Sequence, residues 1–407
     1  MLALLALLGV IFEEFTHINK AKVTLLLGTV AWLILFITSA GGPQAAAVQH
    51  GLTESLTEIS QLWLFLIAAM TFVAYLNKKG MIQGLIYLFL PKQLSERRLL
   101  YITGAFCFVF SSLADNITAT LVSVTLILSL DLPKRTLTRF AALVVFAVNS
   151  GGVALITGDV TTLMIFLAGK VTVLDLLILS VPAAISVMFL AMMLGRGLHD
   201  QVVVKSRARS VRQVDIAIAI TFLLTIVGTI IGNAVYQIPP VLSFLTGMSV
   251  MFMIARMFNE DDDKDPIMDY VRLVEFDTLL FFLGVLLLVG MLSHIQVLDD
   301  LLVLYYILPP EFANFAMGIL SAIIDNVPLT AALLKSGVEM DEGQWLSLTY
   351  AVGVGGSLLV IGSAAGIVAM SKIPGLTFAR YSRQLMPLFL AYLVGYSASL
   401  LIARWWV

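Results

Sequence analysis

S-S-L-A-D-N-I-T-A-T, Ser111 to Thr120, has a second copy in the chain: S-A-I-I-D-N-V-P-L-T, Ser321 to Thr330. Both read S-x-x-x-D-N-x-x-x-T, and the aspartates, Asp115 and Asp325, are 210 residues apart. Each Asp-Asn pair sits in the middle of an apolar run, Leu99 to Leu130 and Phe312 to Leu334. Hydrocarbon is a poor place for a carboxylate, so an ionisable residue at that depth marks a functional site by default. Two such residues, at matching places in two halves, point to an ion carrier built from two repeats.

The rest of the chain fits that setting. Its 407 residues are 60% hydrophobic and 12% charged, with a mean hydropathy of +1.00. Soluble domains run nearer about 45–50% apolar and about 25% charged. Apolar stretches of membrane-spanning length recur throughout, and the alternating ten-residue strands of a membrane barrel are missing. The expected fold is an all-α polytopic membrane protein in contact with lipid. The net charge of −2 identifies no partner, and nothing points to nucleic acid. The single cysteine, Cys107, cannot form an internal disulfide and reads as a small apolar helix residue. Met1 to Phe12 has no charged start and no A-x-A site, so it reads as the end of a retained helix rather than a signal peptide.

Three landmarks recur in the same order. Glu58 is expected to open a helix after an irregular stretch, Ala40 to Thr57, and Glu275 opens its counterpart. The Asp-Asn pairs follow. Then G-G-x5-G appears as Gly151-Gly152…Gly158 and as Gly355-Gly356…Gly362. Residues 1–195 are thus read as a first repeat, with a re-entrant hairpin over about 99–130 and a broken helix over about 140–169. Residues 196–213 are a basic cytoplasmic linker, and 214–407 a second repeat, with a hairpin over about 312–334 and a broken helix over about 344–371. Short segments at 81–90 and 297–308 read as interfacial, and 259–269 as an acidic loop. Arg404-Trp405-Trp406 reads as an interface anchor.

The excess of Lys and Arg on the cytoplasmic side fixes orientation. With the N-terminus outside and both interrupted runs treated as hairpins, only Lys170, Lys335 and Arg404 of the 24 cations fall outside. The two repeats then run in opposite senses, the arrangement that places binding sites near the midplane between discontinuous helices.

A helix broken inside the bilayer leaves backbone groups that protein or a water-filled cavity must satisfy. Freed carbonyls and oxygen side chains suit a hard cation. A first-half site is expected to gather Asp115, Asn116, Thr120, Asn149, Ser150, Asp159, Thr161 and Thr162. A pseudo-symmetric second-half site gathers Asp325, Asn326, Thr330, Ser357 and Ser363. Asp159 aligns with Ser363, so the first half carries the extra carboxylate. Burial and a neighbouring carboxylate favour protonation, whereas a bound cation opposes it. Asp159 is therefore expected to alternate between a proton and Na⁺ or Li⁺, with Asp115 as ligand or co-titrating partner. Such ions are substrates, and no cofactor is expected.

Bland roles stand beside these. Asp115, Asp159 and Asp325 could cap the half-helices behind them. Glu58 and Glu275 suit a helix start as structural or gating carboxylates. His17, His50, His199 and His294 read as surface residues in loops or at helix ends. The predicted spans and hairpins hold no Lys or Arg, which favours a small cation. An oxyanion, arsenite or carboxylate carrier is the alternative. An intramembrane aspartyl protease fails because Ile156 stands where its G-x-G-D motif needs the first glycine.

Together, S-S-L-A-D-N-I-T-A-T, N-S-G-G-V-A-L-I-T-G-D-V-T-T, V-E-F-D-T-L-L-F-F and S-A-I-I-D-N-V-P-L-T-A-A resemble the NhaD-type Na⁺/H⁺ antiporters of the ion transporter superfamily, over nearly the whole chain. The resemblance implies Na⁺(Li⁺)/H⁺ exchange in a cell or inner membrane, with Asp115, Asn116, Asn149, Asp159, Thr161, Thr162, Asp325 and Ser363 as polar-site members. From dicarboxylate-carrying relatives it further implies a homodimer with a fixed scaffold and a moving domain. Those relatives have Ser-Asn-Thr at the hairpin tips, where this chain has Asp.

Overall fold

The structure, a computed structural model, describes residues 19–81, 84, 93–128, 130, 132–203, 212–257, 268–298 and 302–406. The first expected helix, His17, most of 81–90 and nearly all of the acidic loop lie outside them. The described residues are almost entirely helical, and seven of their helices are long and apolar enough to cross a membrane. The protein is an all-α polytopic membrane protein.

In the first half, α1 (Lys20–Ser39) and α2 (Ala45–Lys78) precede a short strand, β1 (Gln93–Ser95). The first interrupted run follows as α3 (Glu96–Leu113) and α4 (Asn116–Leu128). It is not one long helix, because Ala114 between them is fully extended (φ −130°, ψ 151°). Next come α5 (Lys134–Gly152), α6 (Val160–Leu167), α7 (Val173–Leu194) and β2 (Gln201–Val203). β1 and β2 pair antiparallel, tying the start of α3 to the segment after α7. Arg139 of α5 donates to the carbonyls of Leu194 and Arg196, satisfying the end of α7.

The second half runs through α8 (Gln213–Tyr236), α9 (Pro240–Met257), the single turn α10 (Met268–Val271) and α11 (Phe276–His294). After α12 (Leu302–Ile307), the second interrupted run forms α13 (Pro310–Ser321) and α14 (Asn326–Lys335). Then α15 (Glu342–Gly355), α16 (Ala364–Lys372), α17 (Phe378–Ser382) and α18 (Leu385–Trp406) close the chain. The chain is thus broken between α3 and α4, α5 and α6, α13 and α14, and α15 and α16.

Two expectations need correction. Glu58 does not open its helix: α2 begins at Ala45, and Glu58 lies in its interior. Gln49, Thr53, Glu54 and Thr57 make that stretch look like a loop by hydropathy, but helical backbone satisfies itself and Thr53 and Thr57 bond back to carbonyls one turn earlier. His50 likewise stands exposed within α2, not in a loop. Glu275 does sit just before its helix, at the N-cap of α11.

The helices sort into two sets. α1, α2, α8, α9 and α11 pack mainly on one another. The interrupted helices pack with α7 and α18, and α3 lies on α5 as α13 lies on α15. Both contacts depend on glycine. A Cβ at Gly151 would run into the Phe108 carbonyl, and one at Gly355 into the Gly318 carbonyl. Most telling is a crossing between halves: α4 packs on α16, and α14 on α6.

These approaches leave no room for a side chain. Gly151→Val should cost about 1–3 kcal/mol through overpacking. A detergent-solubilised variant should melt several degrees lower, and an unchanged Tm would refute the close approach.

Candidate ion-binding site

Each interruption ends with an oxygen-bearing side chain that caps the half-helix behind it. Asp115 Oδ1 accepts from the Thr118 N–H at 2.9 Å, and Asp159 Oδ1 from the Thr161 N–H at 3.2 Å. In the second half, Asp325 Oδ1 accepts from the Val327 N–H at 3.2 Å, and Ser363 Oγ from the Gly366 N–H at 3.3 Å. The four caps are thus residues that the sequence reading placed in the site. Four helix N-termini, each carrying partial positive charge, are spread along the same polar interior.

The crossing of the halves brings these caps together. Asp115, Asn116 and Asp159 line one cavity of about 140 Å³ with Asp325, Asn326 and Ser363. The sequence suggested one site in each half; in the structure, residues of both halves line one cavity. Asn326 Nδ2 donates to Asp159 Oδ2 at 3.0 Å, and Asn149 Nδ2 donates to Ser363 Oγ at 2.9 Å. Asn116 joins them: it receives the Ser111 hydroxyl at 2.9 Å and reaches Asn149 Oδ1 at 3.5 Å. Gly152 makes this possible, because its Cβ would lie 2.8 Å from Asn116 Oδ1 and 3.0 Å from the Asp159 Cβ.

The remaining expected residues lie behind this layer. Thr120 and Thr330 bond back to the carbonyls of Asn116 and Asn326 at 2.7 and 2.8 Å, steadying the two tips. Thr162 donates to the Gly152 carbonyl at 3.2 Å, bridging the break in the first half. Ser357 donates to Val354 and its carbonyl accepts from Tyr381, so it serves the second break rather than the cavity. Ser150 is fully buried, and its hydroxyl makes no hydrogen bond among the described residues. Glu58 lies elsewhere and pairs with Lys335 at 2.6 Å. Glu275 receives the Thr278 hydroxyl at 3.4 Å beside the cavity.

Sequence reasoning missed the wall supplied by the other helix set. Asn19, Asp277, Thr278, Phe281 and Phe282 line the cavity, and Asn19 Nδ2 donates to Asp277 Oδ2 at 3.0 Å. Asp277 was legible in V-E-F-D-T, on the first turn of its helix, but Asn19 carried no signal. Among the described residues the lining therefore offers four carboxylates and no Lys or Arg. Among the described residues, no cluster of three or more His, Cys, Asp or Glu side chains is arranged to hold a metal ion. The donors are a mixture of carboxylate, amide and hydroxyl oxygens, the chemistry that suits hard cations.

Comparison with known proteins agrees with this architecture. Residues 7–355 match the family model CitMHS, described as citrate transporter. The Na(+)/H(+) antiporter NhaD of Alkalimonas amylolytica is 30% identical over 97% of this chain and 87% of its own length. The chain belongs to the NhaD-type family. NhaD of Vibrio parahaemolyticus is also 30% identical, over 88% of this chain and 93% of its own. Sodium/proton antiporter 1 of Arabidopsis thaliana is 28% identical over 92% of this chain and 69% of its own. All are named as transporters, and this NhaD-type chain is a membrane transporter, not an enzyme.

The link between halves can be tested directly. Ser363→Ala leaves the buried Asn149 amide without its acceptor, a loss of about 1–3 kcal/mol. Ser363→Thr keeps the hydroxyl and should stay near wild type. Equal melting temperatures for Ala and wild type would sink the assignment.

Proposed function

We propose that the protein exchanges Na⁺ or Li⁺ for H⁺ by alternating access, with Asp159 and Asp115 as the site for which cation and proton compete. One observation carries this: carboxylates from both halves converge on one small cavity whose described lining has no basic side chain. A buried group of several carboxylates favours taking up either protons or a small cation, and gaining one weakens the hold on the other. The names of the relatives, sodium/proton antiporters, support the same reading.

Asp159 is the better candidate for the shared group. Its cap bond holds one oxygen and Asn326 of the opposite half holds the other. Its fit to the cavity thus depends on both halves at once. Asn149, Thr161, Asp325 and Ser363 complete the polar surround in this proposal.

The larger frame is part of the same proposal. Residues 1–195 and 214–407 are inverted repeats joined by a cytoplasmic linker at 196–213. The N-terminus lies outside an inner membrane, and the transporter works as a homodimer. One helix set acts as scaffold, and the interrupted helices move across it in an elevator motion. The division of the helices into two packed sets supports that reading.

A second reading is favoured by the family description, citrate transporter. Both are separated by one measurement. Inverted vesicles are energised to an acidic interior, and a pH-sensitive dye is followed as Na⁺, Li⁺, K⁺ or citrate is added. Na⁺ or Li⁺ should restore the dye signal, and Asp159→Asn should abolish the response. Asp115→Asn should raise the half-maximal Na⁺ concentration about tenfold or more, since a contact to a charged group is worth about 1.5–3 kcal/mol. Citrate uptake without any cation response would replace the antiport reading.

A further inference from the structure

A second, larger cavity of about 540 Å³ lies in the same cleft between the two helix sets. The order of its lining residues fixes where. On α2 the first cavity touches Leu66 and Met70, and the second touches Glu54, Glu58, Gln61 and Leu62. On α11 the first reaches Asp277 to Phe282, and the second reaches Leu286 to Ser293. On α6 and α14 the first touches the N-terminal residues and the second the C-terminal ends. The two cavities therefore lie at opposite ends of the cleft. Between them, Leu62 to Leu66 and Phe282 to Leu286 are each one helical turn, about 5–6 Å. Leu62 and Leu66 are buried, as is Leu163 of α6, so the partition is thin and apolar.

The second cavity carries an ion pair joining the helix sets. Lys335, at the end of α14, reaches Glu58 at 2.6 Å and Glu54 at 3.4 Å on α2. Its carbonyl also accepts from Ser293 of α11 at 3.3 Å. Lys170 lines the same cavity and rests over the Trp345 ring. Lys170 and Lys335 are two of the three cations that orientation by charge leaves outside.

We propose that this cavity is the access vestibule for the opposite membrane face, and that Lys335 is its latch. Lys335 holds the end of α14 on α2 through Glu54 and Glu58. Opening toward that face separates the ammonium from both carboxylates and breaches the leucine and phenylalanine partition. The proposal rests on the antiport reading only for the identity of the ion that enters.

The test uses the full chain with Cys107→Ala and one new cysteine at a time, Gln61→Cys or Met70→Cys on the same helix. A membrane-impermeant cationic thiol reagent is applied to intact cells and to inverted vesicles. Gln61→Cys should react from one face and Met70→Cys from the other. Adding Lys335→Gln should speed labelling at residue 61 up to about fivefold, the shift an exposed ion pair can impose. Lys335→Arg should not. Labelling of both sites from the same face would overturn the vestibule. Unchanged labelling in Lys335→Gln, even with a lowered Tm, would overturn the latch and leave a static ion pair. Neither readout measures exchange, so loss of the antiport reading would leave the result standing.

Discussion

Four helices of this protein begin at breaks within apolar stretches, and each presents unpaired N–H groups at its first turn. In hydrocarbon such groups must be satisfied by protein or by a wet cavity. The chain meets this demand with Asp115, Asp159, Asp325 and Ser363, each accepting from the first turn of its own half-helix. A structural necessity thereby sets three carboxylates at the helix breaks. Capping holds Oδ1 of each aspartate, and in Asp115 the Thr118 hydroxyl holds Oδ2 as well. The bland reading of these residues and the functional one are the same geometry seen from two sides.

Crossed packing does the rest. Because α4 lies on α16 and α14 on α6, the caps of one half meet the polar tips of the other. Asn326 reaches Asp159, and Asn149 reaches Ser363. An arrangement with each hairpin closed on its own broken helix would give two separate half-sites and a looser link between them. Here a shift of one half relative to the other must disturb the bonds around Asp159.

Much of this was legible in the sequence, because apolar length and a buried charge leave few choices. Asp115 and Asp325 in the middle of apolar runs mark two of the helix breaks, and the paired glycines mark the other two. The crossing was not legible. Contacts such as Asn149 to Ser363 span 214 residues, and no local pattern specifies which half packs on which. The start of α2 was misjudged for a different reason: its polar residues lower hydropathy without disturbing helical backbone bonds. Asn19 is a single polar residue before a helix, and only its bond to Asp277 gives it meaning.

The asymmetry between the halves carries the chemistry one step further. Asp159 and Ser363 occupy equivalent cap positions, yet only one of them can hold a charge. A hydroxyl caps a helix nearly as well as a carboxylate, so capping alone does not call for aspartate at 159. The extra carboxylate adds a negative charge to a cavity already holding Asp115, Asp277 and Asp325, with no basic residue in its described lining. Adding a like charge to one small cavity disfavours ionisation, and a counter-ion offsets that effect. In the proposed exchange, protons or a small cation supply the balancing positive charge. A symmetric protein with serine at both caps would need less of it and would couple the two more weakly. In the proposed exchange, the departure from symmetry at this one position is what sets proton against cation.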